Sequence, residues 1–303
     1  MRRAGGVALL LMAAGVTAAS AARERPFDLA AAPDASAREY VRTNNLSALK
    51  GVRKVVIPSF QMEFVVETQT HQLAPARTND MARLTGVDRE AFTRIADGFH
   101  AALVAGLKGL GVEVLPAETV RGAAAWDEYK PAPRGSPTTV SAPDHTSLLL
   151  SVADMPLYFN IGDRRVPDRF TRVPPAFEVA LAKEVAVPLL RVRMVIDITR
   201  HTGEVKGKAA VTLKESATGL TVITPSGRTA VISLGENVNA AAATFEVKGV
   251  DPSFWDDAPA PFYSATKSPS HAIQGTSPTY EKAVNDHLGA VLAMFLAEIK
   301  TAL

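Results

Sequence analysis

The residues that could do chemistry are few and widely spaced. Two S-x-x-K strings occur, Ser47 to Lys50 and Ser264 to Lys267. In penicillin-recognising enzymes such a string sets a lysine one helical turn from a nucleophilic serine. Here neither opens an apolar helix, and the companion K-T-G string is missing. The six histidines, His71, His100, His145, His201, His271 and His287, include no H-x-H or H-x-x-x-H pair. Zinc wants three or four N, S or O ligands, and the spacing supplies no pair to start from. Asp251, Asp256 and Asp257 surround Trp255 without the regular spacing of a calcium loop. Arg164, Arg165, Arg169 and Arg172 form a basic stretch that could hold an anion or simply be solvated. No G-x-S-x-G, H-E-x-x-H, G-x-x-x-x-G-K-[ST] or strand-linked G-x-G-x-x-G string is present. No catalytic, cofactor-binding or metal-ligating residue is therefore nominated. The recognition aromatics are Trp126 and Tyr129, and separately Trp255, Phe262 and Tyr263. Such side chains supply binding energy at interfaces, and they equally anchor loops to cores.

Composition narrows the class. The chain has 303 residues and no cysteine, so thiol nucleophiles, thiolate metal sites and disulfides are closed. Stability must come from a hydrophobic core, which a chain of this length can build as one large domain or two small ones. Arg2 and Arg3 precede an apolar run from Gly6 to Val16, and Ala19-Ser20-Ala21 follows with the small-residue pattern of a cleavage site. That order is the mark of a secretory signal, cleaved near Ala21, and it predicts a periplasmic or secreted protein. Without a cysteine the mature chain cannot take a lipid anchor. Lys and Arg number 33 against 31 Asp and Glu, and removing Arg2 and Arg3 leaves 31 against 31. A balanced chain argues against a broad nucleic-acid or anionic-lipid surface. Beyond the signal no apolar run approaches the length of a membrane-spanning helix. The partner is then a protein or another envelope component, with the oligomeric state left open.

The elements that must position these residues follow from periodicity. Residues 22–50 are Ala-, Arg- and Asp-rich and read as a flexible lead-in with a short helix near Ala37 to Thr43. Val52 to Glu67 is a long β-rich run interrupted by Pro58. Thr68 to Gly86 carries no assignable pattern. Phe92, Ile95, Phe99, Leu103, Leu107 and Leu110 make one face of a helix over 88–110, capped by Asp88 and ended by Gly111. A short strand at Val112 to Pro116 precedes a helix from Ala117 to about Tyr129. Ser147 to Ala153 is a strand, which Leu157 to Ile161 extends or pairs with, and Ala176 to Val185 a short helix. Val192, Met194, Ile196 and Ile198 alternate with polar residues, which predicts a strand with one wet face. Glu204 to Leu213, Leu220 to Thr224, Thr229 to Leu234 and Ala243 to Val250 follow as strands, with a turn at Pro225-Ser226-Gly227. Residues 251–277 read as an irregular Pro/Ser-rich insertion that packs through its aromatics. A last helix begins with Ser277 as cap and Pro278 at its first position, and Tyr280, Val284, Leu288, Val291, Phe295 and Ile299 form its apolar stripe. The fold class is α/β with α+β character: β-α-β units, then antiparallel hairpins on a mixed sheet, then a C-terminal helix. Residues 51–303 form a single domain.

Three pieces carry a family resemblance: Val55 to Phe60, Leu107 to Pro116, and Val192 to Glu204 with its Thr202-Gly203-Glu204 ending. In this order they resemble the periplasmic α/β domain shared by the TolB amino-terminal domain, the curli-secretion lipoproteins and the lipoprotein activators of penicillin-binding proteins. The resemblance spans about Val52 to Leu213. It implies a scaffold, a pore or a partner-binding domain and carries no catalytic residues. The chain departs from it by lacking the lipid-accepting cysteine and by the insertions at Thr68 to Gly86 and Asp251 to Ser277. The leading expectation is an exported, non-catalytic binding or scaffold protein in envelope assembly or transport. The alternatives are an exported hydrolase using dispersed residues such as His145, Asp154 and Asp197, and an outer-membrane-associated oligomer built on the hairpins between Val187 and Leu234.

Overall fold

A computed structural model describes residues 25–70, 80–129, 136–142, 145–152, 155, 176–198, 207–258, 260–263 and 269–303. In chain order the elements are β1 (Arg25–Pro26), α1 (Pro33–Tyr40), β2 (Val41–Asn44), β3 (Lys54–Thr70), β4 (Asp80–Thr85), α2 (Arg89–Gly109) and β5 (Glu113–Leu115). Next come α3 (Glu118–Arg121), α4 (Trp126–Tyr129), β6 (Thr138–Ser141), β7 (His145–Leu150), α5 (Ala176–Val185), β8 (Leu189–Asp197) and β9 (Lys208–Leu213). The chain closes with β10 (Gly219–Ile223), β11 (Thr229–Leu234), β12 (Val238–Gly249), α6 (Phe254–Asp257), β13 (His271–Gln274) and α7 (Ser277–Ala302).

The thirteen strands among the described residues belong to one mixed sheet, ordered β2-β11-β10-β8-β9-β12-β13-β4-β3-β7-β6, with β1 beside β12 and β5 beside β3. A further pairing of β8 with β3 closes six strands, β3-β8-β9-β12-β13-β4, into a mixed barrel. The fold is thus α/β with a mixed sheet, as the element order predicts. The β-α-β expectation holds locally, since β3 runs parallel to both β5 and β8. Pro58 does not end β3. It falls where the register with β8 shifts, between Val56 and Ser59. A residue with no N–H is tolerated at such an irregularity and nowhere else in a central strand.

Phe60, Met62 and Phe64 point from β3 into one core, where they meet Phe92, Ile95, Phe99 and Leu103 of α2 and Val284, Leu288, Val291 and Phe295 of α7. These are the helix stripes read from the sequence. A second, smaller core gathers Val120, Trp126, Leu181, Ala182, Leu189 and Ile223 around Val56, beneath the short helices.

Several elements differ from expectation. The lead-in is folded from Arg25 onward: β1 pairs with β12, β2 with β11, and Ala37 and Tyr40 of α1 are buried in the main core. The helix expected over Ala117 to Tyr129 divides into α3 and α4, because Gly122 sits at the end of α3. β8 has no wet face. Arg191, Arg193 and Asp197 are buried, and each faces an opposite charge, on Glu178, Glu63 and Lys214 respectively. Both stretches left irregular contain a strand, β4 in 68–86 and β13 in 251–277, and these two pair in parallel to complete the barrel. α7 is capped by Thr276, whose hydroxyl accepts from the Thr279 amide, and not by Ser277. The signal region, Leu157 to Ile161, Arg164 to Pro175 and His201 to Gly203 lie outside the described residues. Among the described residues no helix is long and apolar enough to cross a membrane.

Candidate functional site

Barrel closure sets Glu67 of β3 directly opposite Arg83 of β4. Directly opposed residues on antiparallel strands share a face, so an acid and a base at this register meet. Arg83 Nε donates to Glu67 Oε1 at 2.5 Å, with the side chains 8% and 0% exposed. The guanidinium then lies over the ring of Trp255, 4.4 Å from its centroid. Trp255, on α6, is fixed in turn by donating its indole N–H to the Pro269 carbonyl at 2.6 Å. Tyr263 lies close enough for Glu67 and Arg83 to act on it electrostatically. Burial drives its phenol well above the ordinary range, Glu67 adds to the shift and Arg83 opposes it. The Tyr263 hydroxyl is buried without a hydrogen-bond partner.

Beside it stands Phe262, 40% exposed and the single exposed large hydrophobic side chain among the described residues. Its ring contacts Tyr263 edge-on at 5.4 Å and Phe92 at 5.9 Å. Phe92 continues inward to Phe64 and Tyr280. The surface ring is therefore seated on a chain of rings that ends in the main core, which limits the conformational freedom lost when something binds.

Two helix starts form the far wall. Asp88 caps α2 by accepting from the Ala91 amide at 2.7 Å. Ser277, at the start of α7, donates to Asp88 Oδ2 at 2.8 Å, and the Asp88 amide donates back to Ser277 Oγ at 3.0 Å. The Ser277 hydroxyl and the Ala91 amide hold the Asp88 carboxyl below its usual range. Together these groups enclose a cleft of about 530 Å³, with Arg83, Arg89, Trp255, Phe262, Tyr263 and Ser277 in its lining. That size suits a side-chain cluster or a small ligand.

Of the five aromatics nominated from the sequence, the fold brings three together. Trp255, Phe262 and Tyr263 line this cleft. Trp126 is 7% exposed and belongs to the second core. Tyr129 ends α4, and its side chain lies outside what is described. Sequence reasoning missed Arg83 and Glu67. Glu67, a polar residue closing an apolar β run, was the available signal for one partner; Arg83 lies in a stretch with no apolar pattern, and their pairing needs a register that no local pattern supplies.

Of the hydrolase residues, His145 and Asp197 are not brought together: register sets His145 opposite Thr68 and Asp197 opposite Val65, on strands either side of β3. His145 Nε2 lies 3.8 Å from Glu63 Oε1, an oxygen that already accepts from Ser147 Oγ at 2.8 Å, while Arg193 reaches Oε2 at 3.4 Å. The serine hydroxyl is thus committed to a carboxylate on β3. Asp197 pairs with Lys214 at 2.9 Å. Register places Asp197 and Ser147 on either side of Val65, about 10 Å apart across two strand spacings. Asp154 lies outside the described residues. Asp251 accepts from the Ser253 amide and hydroxyl, and no group of three His, Asp or Glu is placed to hold a metal among the described residues. Ser47 Oγ accepts from Arg228 and donates to Asn45, while Lys50 is exposed.

Fold and cleft together define an α/β protein with a mixed six-stranded barrel and an aromatic–guanidinium cleft at its seam. No protein-family model, curated protein or solved structure matches the chain.

Proposed function

We propose that the chain is an exported, non-catalytic binding or scaffold protein of the cell envelope, working in assembly or transport, and that the cleft is its binding face. The observation that carries this is Phe262, a large apolar ring left 40% exposed in a cleft whose other walls include Trp255, Tyr263, Arg83 and Asp88. Isolated exposed apolar residues need no explanation. This one is anchored by ring contacts and borders a concave surface, which is how interface anchors are built. The committed hydrogen bonds of Ser147 and Glu63 speak for binding over hydrolysis. The signal-like start, Arg2 to Ala21, supports export, and the resemblance to TolB-type domains supports a partner that is a protein or another envelope component.

The mature chain, immobilised, is used to capture partners from envelope extracts in parallel with Phe262→Ala. A specific component retained by the native chain and lost with Phe262→Ala supports the proposal. Identical retention by both proteins, or no reproducible retention, overturns it.

A further inference from the structure

At the opposite end of β3 from the aromatic cleft lies a second concavity, of about 530 Å³, whose lining is basic. Three turns form it: 50–54, ahead of and into β3; Ala186 to Pro188, ahead of β8; and Thr224 to Arg228, between β10 and β11. Lys50, Arg53, Lys54 and Arg228 line it, with the hydroxyls of Thr224 and Ser226, and no carboxylate is among the lining residues. Among the described residues, Lys54 is the one of these four with an acidic partner, Glu113 at 3.1 Å on the exposed outer side. Arg228 reaches Ser47 Oγ at 2.9 Å, a neutral acceptor that leaves its charge uncompensated. Thr224 Oγ1 lies 2.9 Å from Ser226 Oγ and accepts from the Arg228 amide, which fixes that turn against the cleft.

The charge is local. Once Arg2 and Arg3 are set aside, basic and acidic residues balance at 31 each, so a four-cation cleft without an acid is not a by-product of a basic protein. Like charges gathered in one concave surface repel and raise the local potential, and an anion is what relieves that. Two guanidiniums present forked donors that match tetrahedral oxyanions, and lysines add point charge. We infer that this cleft is a binding site for the anionic phosphoryl group of a ligand. The source is either a soluble phosphoryl compound or the headgroup of an anionic lipid. From Lys54 to Glu67 the strand spans about 40 Å, so the basic cleft can be emptied without disturbing the aromatic one.

The mature full chain is titrated with inorganic pyrophosphate by calorimetry, and in parallel sedimented with vesicles of phosphatidylcholine alone or mixed with phosphatidylglycerol. Pyrophosphate binding without vesicle retention assigns a soluble ligand. Retention on the phosphatidylglycerol vesicles only assigns a headgroup. Either supports the inference when Arg53→Ala/Arg228→Ala weakens binding at least about tenfold and the charge-matched Lys282→Ala/Lys300→Ala does not. Thermal unfolding checks that the double variant folds. Lys50→Glu, a change at an exposed side chain, gives a second reading and must weaken binding in the same direction. Absence of binding to both probes at low salt overturns the inference. So does equal weakening by the cleft and control variants.

Discussion

Arg83→Met tests whether the buried ion pair organises the aromatic cleft. Methionine keeps most of the apolar stem and removes the guanidinium. The change leaves Glu67, 0% exposed, without its arginine partner, and takes away the cation resting on Trp255 at 4.4 Å. A solvent-exposed pair would contribute at most about 1 kcal/mol. Removing one partner of a buried pair costs about 3–5 kcal/mol, because the remaining charge is stranded away from water. Loss of the stacked cation adds about 0.5–2 kcal/mol. The single variant should therefore lose about 4 kcal/mol or more, a large part of the roughly 5–15 kcal/mol that holds an ordinary domain together. Replacing both members, Glu67→Leu with Arg83→Met, removes the stranded carboxylate and should recover most of that loss. The assay is urea unfolding followed by circular dichroism and by tryptophan emission, on native, single and double variants. Trp126 reports the second core and Trp255 the cleft, so a Trp126→Phe background isolates the local signal. A loss under about 1 kcal/mol for Arg83→Met, or effects that simply add in the double variant, would refute the reasoning.

Gly86→Ala should destabilise by at least about 2 kcal/mol in the same assay, because φ at this position is +76° and a Cβ would collide with the Gly275 carbonyl oxygen. Tyr280→Phe should leave stability unchanged or raise it by about 1 kcal/mol, since the buried hydroxyl has no hydrogen-bond partner; a loss above that size would count against the orphan assignment. His287 is fully buried, and burial lowers its pKa even though its Nδ1 lies 2.7 Å from the Ala283 carbonyl. A base with a depressed folded pKa leaves the unfolded chain to take up the proton first, so stability is complete above the unfolded value of about 6.5 and is lost as pH falls below it. Melting temperature should drop between pH 7 and 5, and less steeply in His287→Leu; parallel profiles would remove His287 as a cause.

What could be read from the sequence was what repeats. Both long helices carry their apolar residues at three- and four-residue steps, and their stripes from Phe92 to Leu107 and from Tyr280 to Ile299 are the buried faces observed. Asp88 and Gly111 marked the ends of α2, where a side-chain acceptor and a φ of +77° are needed. The misreading of β8 has a physical cause. Alternation reports polarity, and polarity normally means water. In β8 the alternate positions are charged, but they are neutralised from α5, β3 and the segment after β9, and a sequence does not display which distant acid meets which base. Ser277 illustrates a finer limit. Either Thr276 or Ser277 satisfies the rule for a cap, and the choice is made by Asp88, which engages the Ser277 hydroxyl from another helix.

The least legible segments turn out to build the site. β4 and β13 hold too few apolar residues to declare themselves, and each becomes a strand because the other, with β3 and β12, satisfies its backbone. Ring closure delivers Arg83 to Glu67, and the loop before β13 delivers Trp255 and Tyr263 to both. The cleft consequently exists only while the seam is shut. Any perturbation that opens β4 from β13 should abolish the cleft and also loosen the α2–α7 core, to which Ala82 and Leu84 of β4 and Ile273 of β13 contribute buried side chains. The basic cleft depends instead on the starts of β3 and β8 and on the β10–β11 turn, all outside the β4–β13 seam. The two clefts therefore have separate structural supports, and a substitution that empties one should leave the other intact.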